Sequence, residues 1–126
     1  MLLVRNGSKS LAFSGQVQNE AGFQIFVKHQ SDFDFRPITQ QAHLPGALAF
    51  SADNEYLYFS DSTQNNSFLY RINIQDVTGE AEVIAENYYL ISDVFSARTS
   101  GDVFFAAKET TTGPFLIYQY DALNQV

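Results

Sequence analysis

Apolar residues along this chain recur at every second position and hardly anywhere at the spacing of a helical stripe. In Glu55–Ser60, Phe68–Ile74 and Asp102–Ala106, short aromatic and β-branched runs alternate with polar residues or fill both faces. Wide side chains of this kind fit a pleated, half-buried surface and crowd a helix, so the runs predict strands. Turn residues punctuate them at Asn6-Gly7-Ser8, Asn19 to Gly22, Leu44-Pro45-Gly46, Ala52-Asp53-Asn54, Ser62 to Ser67, Thr78-Gly79, Thr99 to Asp102 and Thr110 to Pro114. Turns about every 8–12 residues predict an all-β chain. Almost no helix is expected.

The strands repeat. A middle unit of Ala47–Ser51, Glu55–Ser60, Phe68–Ile74 and Ala81–Glu86 matches an earlier set at Leu2–Arg5, Ser10–Ser14, Phe23–His29 and Arg36–Gln40. Three of its strands match later ones at Ser92–Ala97, Asp102–Lys108 and Phe115–Ala122. Leu57-Tyr58-Phe59 falls on Val103-Phe104-Phe105, and Phe68-Leu69-Tyr70 on Leu116-Ile117-Tyr118. The expectation is one domain over residues 1–126, built from units of about 40–45 residues at 1–43, 44–87 and 88–126. The last unit lacks its outer strand.

Leu48-Ala49-Phe50-Ser51-Ala52-Asp53-Asn54-Glu55-Tyr56-Leu57-Tyr58-Phe59-Ser60, followed by Phe68-Leu69-Tyr70-Arg71-Ile72 and Thr78-Gly79, resembles a blade of the TolB-like and WD40-like β-propeller repeats. In that family a strand ends in a Phe-Ser-x-Asp-Gly turn; here Asn54 takes the Gly place, and Asn also tolerates positive φ. The resemblance implies antiparallel sheets in three propeller-like blades, with a closed β-barrel or a sandwich as the alternative architecture. It also implies a bacterial interaction role, since such propellers serve as periplasmic interaction proteins and as sensor domains of membrane-bound transcription regulators. Closed propellers carry about four to eight blades. Three units therefore imply part of a longer propeller, several chains completing one ring, or a different closure. An open sheet face exposes apolar side chains and unpaired edges, so self-association is the expected remedy.

Composition narrows the function classes. With 126 residues and 45% hydrophobic content the chain can build one packed core. Seven Lys+Arg against 14 Asp+Glu give a formal charge of -7, which repels phosphate backbones and anionic membrane surfaces. The chain has no Cys, which removes disulfides, thiolate metal sites and a Cys nucleophile, and fits periplasm and cytoplasm equally. Its apolar runs are too short for a membrane span or a signal-peptide core, so neither direct membrane insertion nor a leader is expected.

Candidate chemistry is sparse. No nucleophile elbow, P-loop or dinucleotide fingerprint occurs. His29 and His43 lack the partners a zinc site needs, and both read as strand-end or loop histidines. Asp32 and Asp34 flank Phe33 and read as a solvated acidic turn. Asp53, Asp61 and Asp93 are placed to line one end of a propeller channel, where calcium-dependent lactonase propellers use scattered Glu, Asn and Asp. No pattern here is specific enough to carry those residues over, and the Asp of the turn motif is ordinarily a turn former. Tyr88-Tyr89 with Asn87 falls between the outer strand of one unit and the inner strand of the next. The resemblance places that connection on the ligand-binding rim, and tyrosines are enriched at interfaces. The alternative is that one ring packs between units. The binding candidates are thus Tyr88, Tyr89, Asn87, His43 and Asp93, with no catalytic residue, metal ligand or cofactor expected. The reading is a non-enzymatic module presenting loops to a protein or small ligand. A barrel carrier of an apolar ligand and a small metal-dependent hydrolase or lactonase are the alternatives.

Overall fold

The computed structural model describes residues 3–6, 10–15, 23–29, 35–38, 45–74, 80–97 and 99–120. These residues form eleven strands and no helix. A first sheet holds β1 (Leu3–Asn6), β2 (Ser10–Gly15), β3 (Gln24–His29) and β4 (Arg36–Pro37). A second holds β5 (Pro45–Phe50), β6 (Tyr56–Ser62), β7 (Ser67–Asn73) and β8 (Glu82–Tyr88). A third holds β9 (Leu90–Ser96), β10 (Val103–Lys108) and β11 (Leu116–Tyr120). Every pairing is antiparallel and joins strands adjacent in sequence, and no sheet of described strands closes on itself. The barrel alternative is not realised. Among the described residues no helix is long and apolar enough to cross a membrane.

The alternation in sequence becomes two separate cores. Leu48, Phe50, Leu57, Phe59, Ile72 and Ile74 of the second sheet pack on Ala12, Ile25 and Val27 of the first. Ala47, Ala49, Tyr58 and Leu69 point the other way, onto Ile91, Val94, Val103, Phe105, Ala107 and Tyr120 of the third. The second sheet is therefore apolar on both faces, and β6 is buried from Leu57 through Asp61. β1 lies against β5 and β5 against β9, so the first strands of the sheets adjoin one another. Arg36 donates a guanidinium hydrogen bond to the Ile74 carbonyl and ties the edge of the first sheet to the second.

A stacked cross-strand aromatic pair recurs in each sheet. Phe13 and Phe26 stack at 5.1 Å, Phe59 and Tyr70 at 5.2 Å, and Phe105 and Tyr118 at 5.4 Å. In each case the two residues are register partners. The first members stand 46 residues apart, so the unit is a structural repeat and not a coincidence of composition.

The β5–β6 turn behaves as the repeat motif predicts. Asp53 Oδ1 accepts from Ser51 Oγ at 2.6 Å and from Glu55 N–H at 3.0 Å, while Ser51 Oγ accepts from Tyr56 N–H at 3.0 Å. Asn54 adopts φ 64°, the left-handed conformation for which Gly or Asn is suited. Gly101, with φ 76°, performs the same service in the β9–β10 turn.

Strand ends differ from expectation at two places. β8 runs on through Tyr88, whose backbone pairs with Ser67, because a bulge at positive-φ Asn87 lets the strand absorb an extra residue. β9 begins at Leu90, so the connection between the two sheets shrinks to Tyr89.

Two outcomes are expected. Leu57 is fully buried between the first two sheets, so Leu57→Ala lowers stability by about 2–5 kcal/mol in urea unfolding. The Ser51 hydroxyl, then the Glu55 amide, hold the Asp53 carboxyl below its ordinary value. Its contribution is therefore present at neutral pH and is lost as pH falls through the depressed native value. Asp53→Ala costs about 1 kcal/mol at pH 7, and the gap from wild type narrows in thermal melts at progressively acid pH.

Candidate functional site

The strands deliver an aromatic and charged cluster to the end of the second and third sheets where β8 passes into β9. Asn87 sets up the kink and is itself exposed. Tyr88, next along, turns its ring inward to meet Phe105 edge-on at 5.4 Å and Tyr118 at 4.9 Å. Tyr88 is thus half-buried and packs against the core between these sheets. Tyr89, held by its N–H to the Lys108 carbonyl at 2.9 Å, lies beneath the Lys108 ammonium at 5.6 Å. The same ammonium stands 5.2 Å from the centre of the half-exposed Phe115 ring and donates to the Thr111 carbonyl at 3.3 Å. Tyr118 donates to Glu109 Oε1 at 3.1 Å.

Burial, then the Glu109 carboxylate, raise the Tyr88 phenol above its ordinary value, and burial with the bond to Glu109 raises Tyr118. Both stay neutral at physiological pH. They offer hydroxyl hydrogen bonds and flat apolar surface, and no phenolate base. Lys108, pinned between two rings, offers a cation beside exposed aromatic edges.

Sequence reasoning found Tyr88, Tyr89 and Asn87 here but missed Lys108, Glu109 and Phe115. These come from the β10 end and the following turn, about 20 residues downstream, and only the register of β9 against β10 brings them together. The repeat held part of the signal, since Tyr118 is the register equivalent of Tyr70. Asp93 lies elsewhere, exposed on the outer side of the third sheet opposite Ala106. Asp53 sits in the β5–β6 turn, and Asp61 is buried at the far end of β6. The three aspartates do not converge. Among the described residues no three His, Asp or Glu side chains gather closely enough to hold a metal ion. His43, Asp32 and Asp34 lie outside the described residues, as does the His29 side chain.

No protein-family model matches the chain, and no curated protein matches it in sequence. Solved structures do match in shape. TolB from Acinetobacter baumannii superposes with a TM-score of 0.71 at 10% identity, over 94% of this chain and 28% of its own. A gluconolactonase from Xanthomonas campestris gives 0.70 at 14% identity, over 95% of this chain and 42% of its own. The fold is that of β-propeller blades. A calcium-binding regucalcin from Agrobacterium tumefaciens gives 0.59 at 21% identity, over 90% and 42%. The chain therefore spans well under half the length of these propellers, and its three sheets correspond to blades.

Tyr88 and Tyr89 part company on substitution. Tyr88→Ala removes a ring wedged between the second and third blades and lowers stability by about 2 kcal/mol, whereas Tyr88→Phe stays within about 0.5 kcal/mol. Tyr89→Ala, on the open side of the cluster, also stays within about 1 kcal/mol in the same urea titrations.

Proposed function

We propose that this chain is a non-enzymatic binding module of propeller type, presenting the blade end around Tyr89, Lys108 and Phe115 to a protein or small ligand. The single observation behind this reading is that cluster: an ammonium held between two partly exposed aromatic rings at a blade connection, with neutral phenols beneath it. Aromatic area with one cation is the composition of an interaction surface. Tyr88 serves as its support from below, and Asn87 aims the connection. Hydrolytic chemistry would ask for a poised base, nucleophile or metal cage, and the carboxylates described are dispersed among a turn, a strand end and an outer sheet face.

A gluconolactonase and a calcium-binding regucalcin share the fold, so a metal-dependent hydrolase is the competing reading. The two separate in one set of measurements. With calcium or manganese present, the chain is expected to open gluconolactone no faster than buffer, and calcium is expected not to raise its melting temperature. In a thermal-shift screen of peptides and small ligands, a true ligand at about 100 times its dissociation constant stabilises wild type by about 2.7 kcal/mol. The same ligand leaves Tyr89→Ala with Lys108→Ala unshifted. Calcium-dependent lactone turnover would overturn the binding assignment.

A further inference from the structure

Among the described residues, the outer face of the third blade is an unfilled copy of a contact that the chain already makes with itself. On the second blade, Ala49, Tyr58 and Leu69 are buried, at 8%, 2% and 0% exposure, beneath the third blade. Strand register assigns the same positions in the third blade to Phe95, Phe104 and Ile117. There Phe95 is 48% and Ile117 65% exposed, while Phe95 and Phe104 stack on each other at 5.6 Å with no sheet of described residues above them. The first blade has the converse gap. Its Phe13–Phe26 pair is equivalent to Phe59–Tyr70 and Phe105–Tyr118, which both seat on a neighbouring blade. Phe13 and Phe26 are only half-buried, with Phe35 edge-on to Phe13 at 4.7 Å and 38% exposed.

We infer that these two faces pair between copies of this chain, the aromatic pair of the first blade in one copy seating on Phe95, Phe104 and Ile117 of the other. Each face is the type of surface the other meets within the chain, so the contact continues an interface that the fold has already built twice. Charge agrees with it. The first blade carries Lys28 at the register position of Ile72, and the third carries Asp93 at the repeat position of Ala47, departures of opposite sign. Two copies of the three described blades, joined in this way at both ends, make six, within the four to eight at which propellers close. A like-to-like dimer leaves one of the two faces open. Head-to-tail pairing with return closure covers both.

The absence of cysteine makes the test direct. Gln24→Cys marks the first-blade face and Gln119→Cys the third-blade face. With a short bismaleimide, each variant alone is expected to remain at the 14.2 kDa chain mass, and an equimolar mixture is expected to yield a species of twice that mass. Cross-linking of either variant alone, or none in the mixture, overturns the pairing. Light scattering on a size-exclusion column then reads wild type as a dimer. Ile117→Asp, at a position already mostly exposed, is expected to weaken association at least about tenfold while its circular dichroism stays unchanged and its melting midpoint falls only as far as the lost association accounts for. A wild-type monomer at every concentration overturns the inference and leaves the face to another protein or to further blades of a longer polypeptide. These readouts concern the blade faces only, so their failure leaves the ligand reading at Tyr89 standing.

Discussion

The fold hangs on the second blade burying both faces at once. A sheet with one apolar face needs one partner; this one, with Leu57 and Phe59 on one side and Tyr58 and Leu69 on the other, needs two. That requirement fixes the stacking order of the three sheets before any loop is considered. The stacked aromatic pair at the centre of each blade is the recurring device. Two rings in register across adjacent strands give a broad, stiff apolar plate, and the neighbouring sheet meets it with smaller residues such as Ala12, Ala47 and Ala49.

Polar residues appear inside this packing where the backbone departs from regular pairing. β5 is irregular between Pro45 and Leu48, and there Ser60 Oγ accepts the Ala47 N–H at 2.8 Å. A Cβ on Gly46 would lie 2.8 Å from that same oxygen, so the approach of β5 to β6 depends on a glycine. Ser67 Oγ likewise accepts the Ile91 N–H at 3.1 Å, from one blade to the next. Both serines are fully buried, and each accepts a backbone N–H beside a register irregularity. A buried hydroxyl here is a bridge between sheets, and it also fixes how β9 lies across the second blade.

Almost all of the architecture was legible because it rests on period and repeat, which survive in a single sequence. Alternation located the strands, the recurrence of Leu-Tyr-Phe as Val-Phe-Phe gave the unit, and Ser-Ala-Asp-Asn gave the turn whose Asn54 adopts positive φ. The ends were less legible for a specific reason. Bulges at Asn87 and Ser92 shift register by one residue, and no local pattern announces such a shift. Tyr88 consequently became a strand residue facing inward, and Asp93 came to lie on the outer face. The cluster around Tyr89 was half visible, because its aromatic members lie together in sequence and its Lys108 arrives through pairing alone.

The same separation explains why fold and function part so cleanly in this chain. TolB and a gluconolactonase match its shape at 10% and 14% identity, so the blade asks little of sequence beyond apolar faces at period two and permissive turns. Those demands are met by strand interiors. Residues at strand ends and connections are released from them and are free to carry recognition. In the second and third blades the connection is reduced to Tyr89, with Tyr88 locked below it and Lys108 clamped beside it. So short a link between packed sheets has little freedom to move. On the proposed binding reading, a ligand docking there would meet a preorganised surface and lose little binding free energy to ordering it.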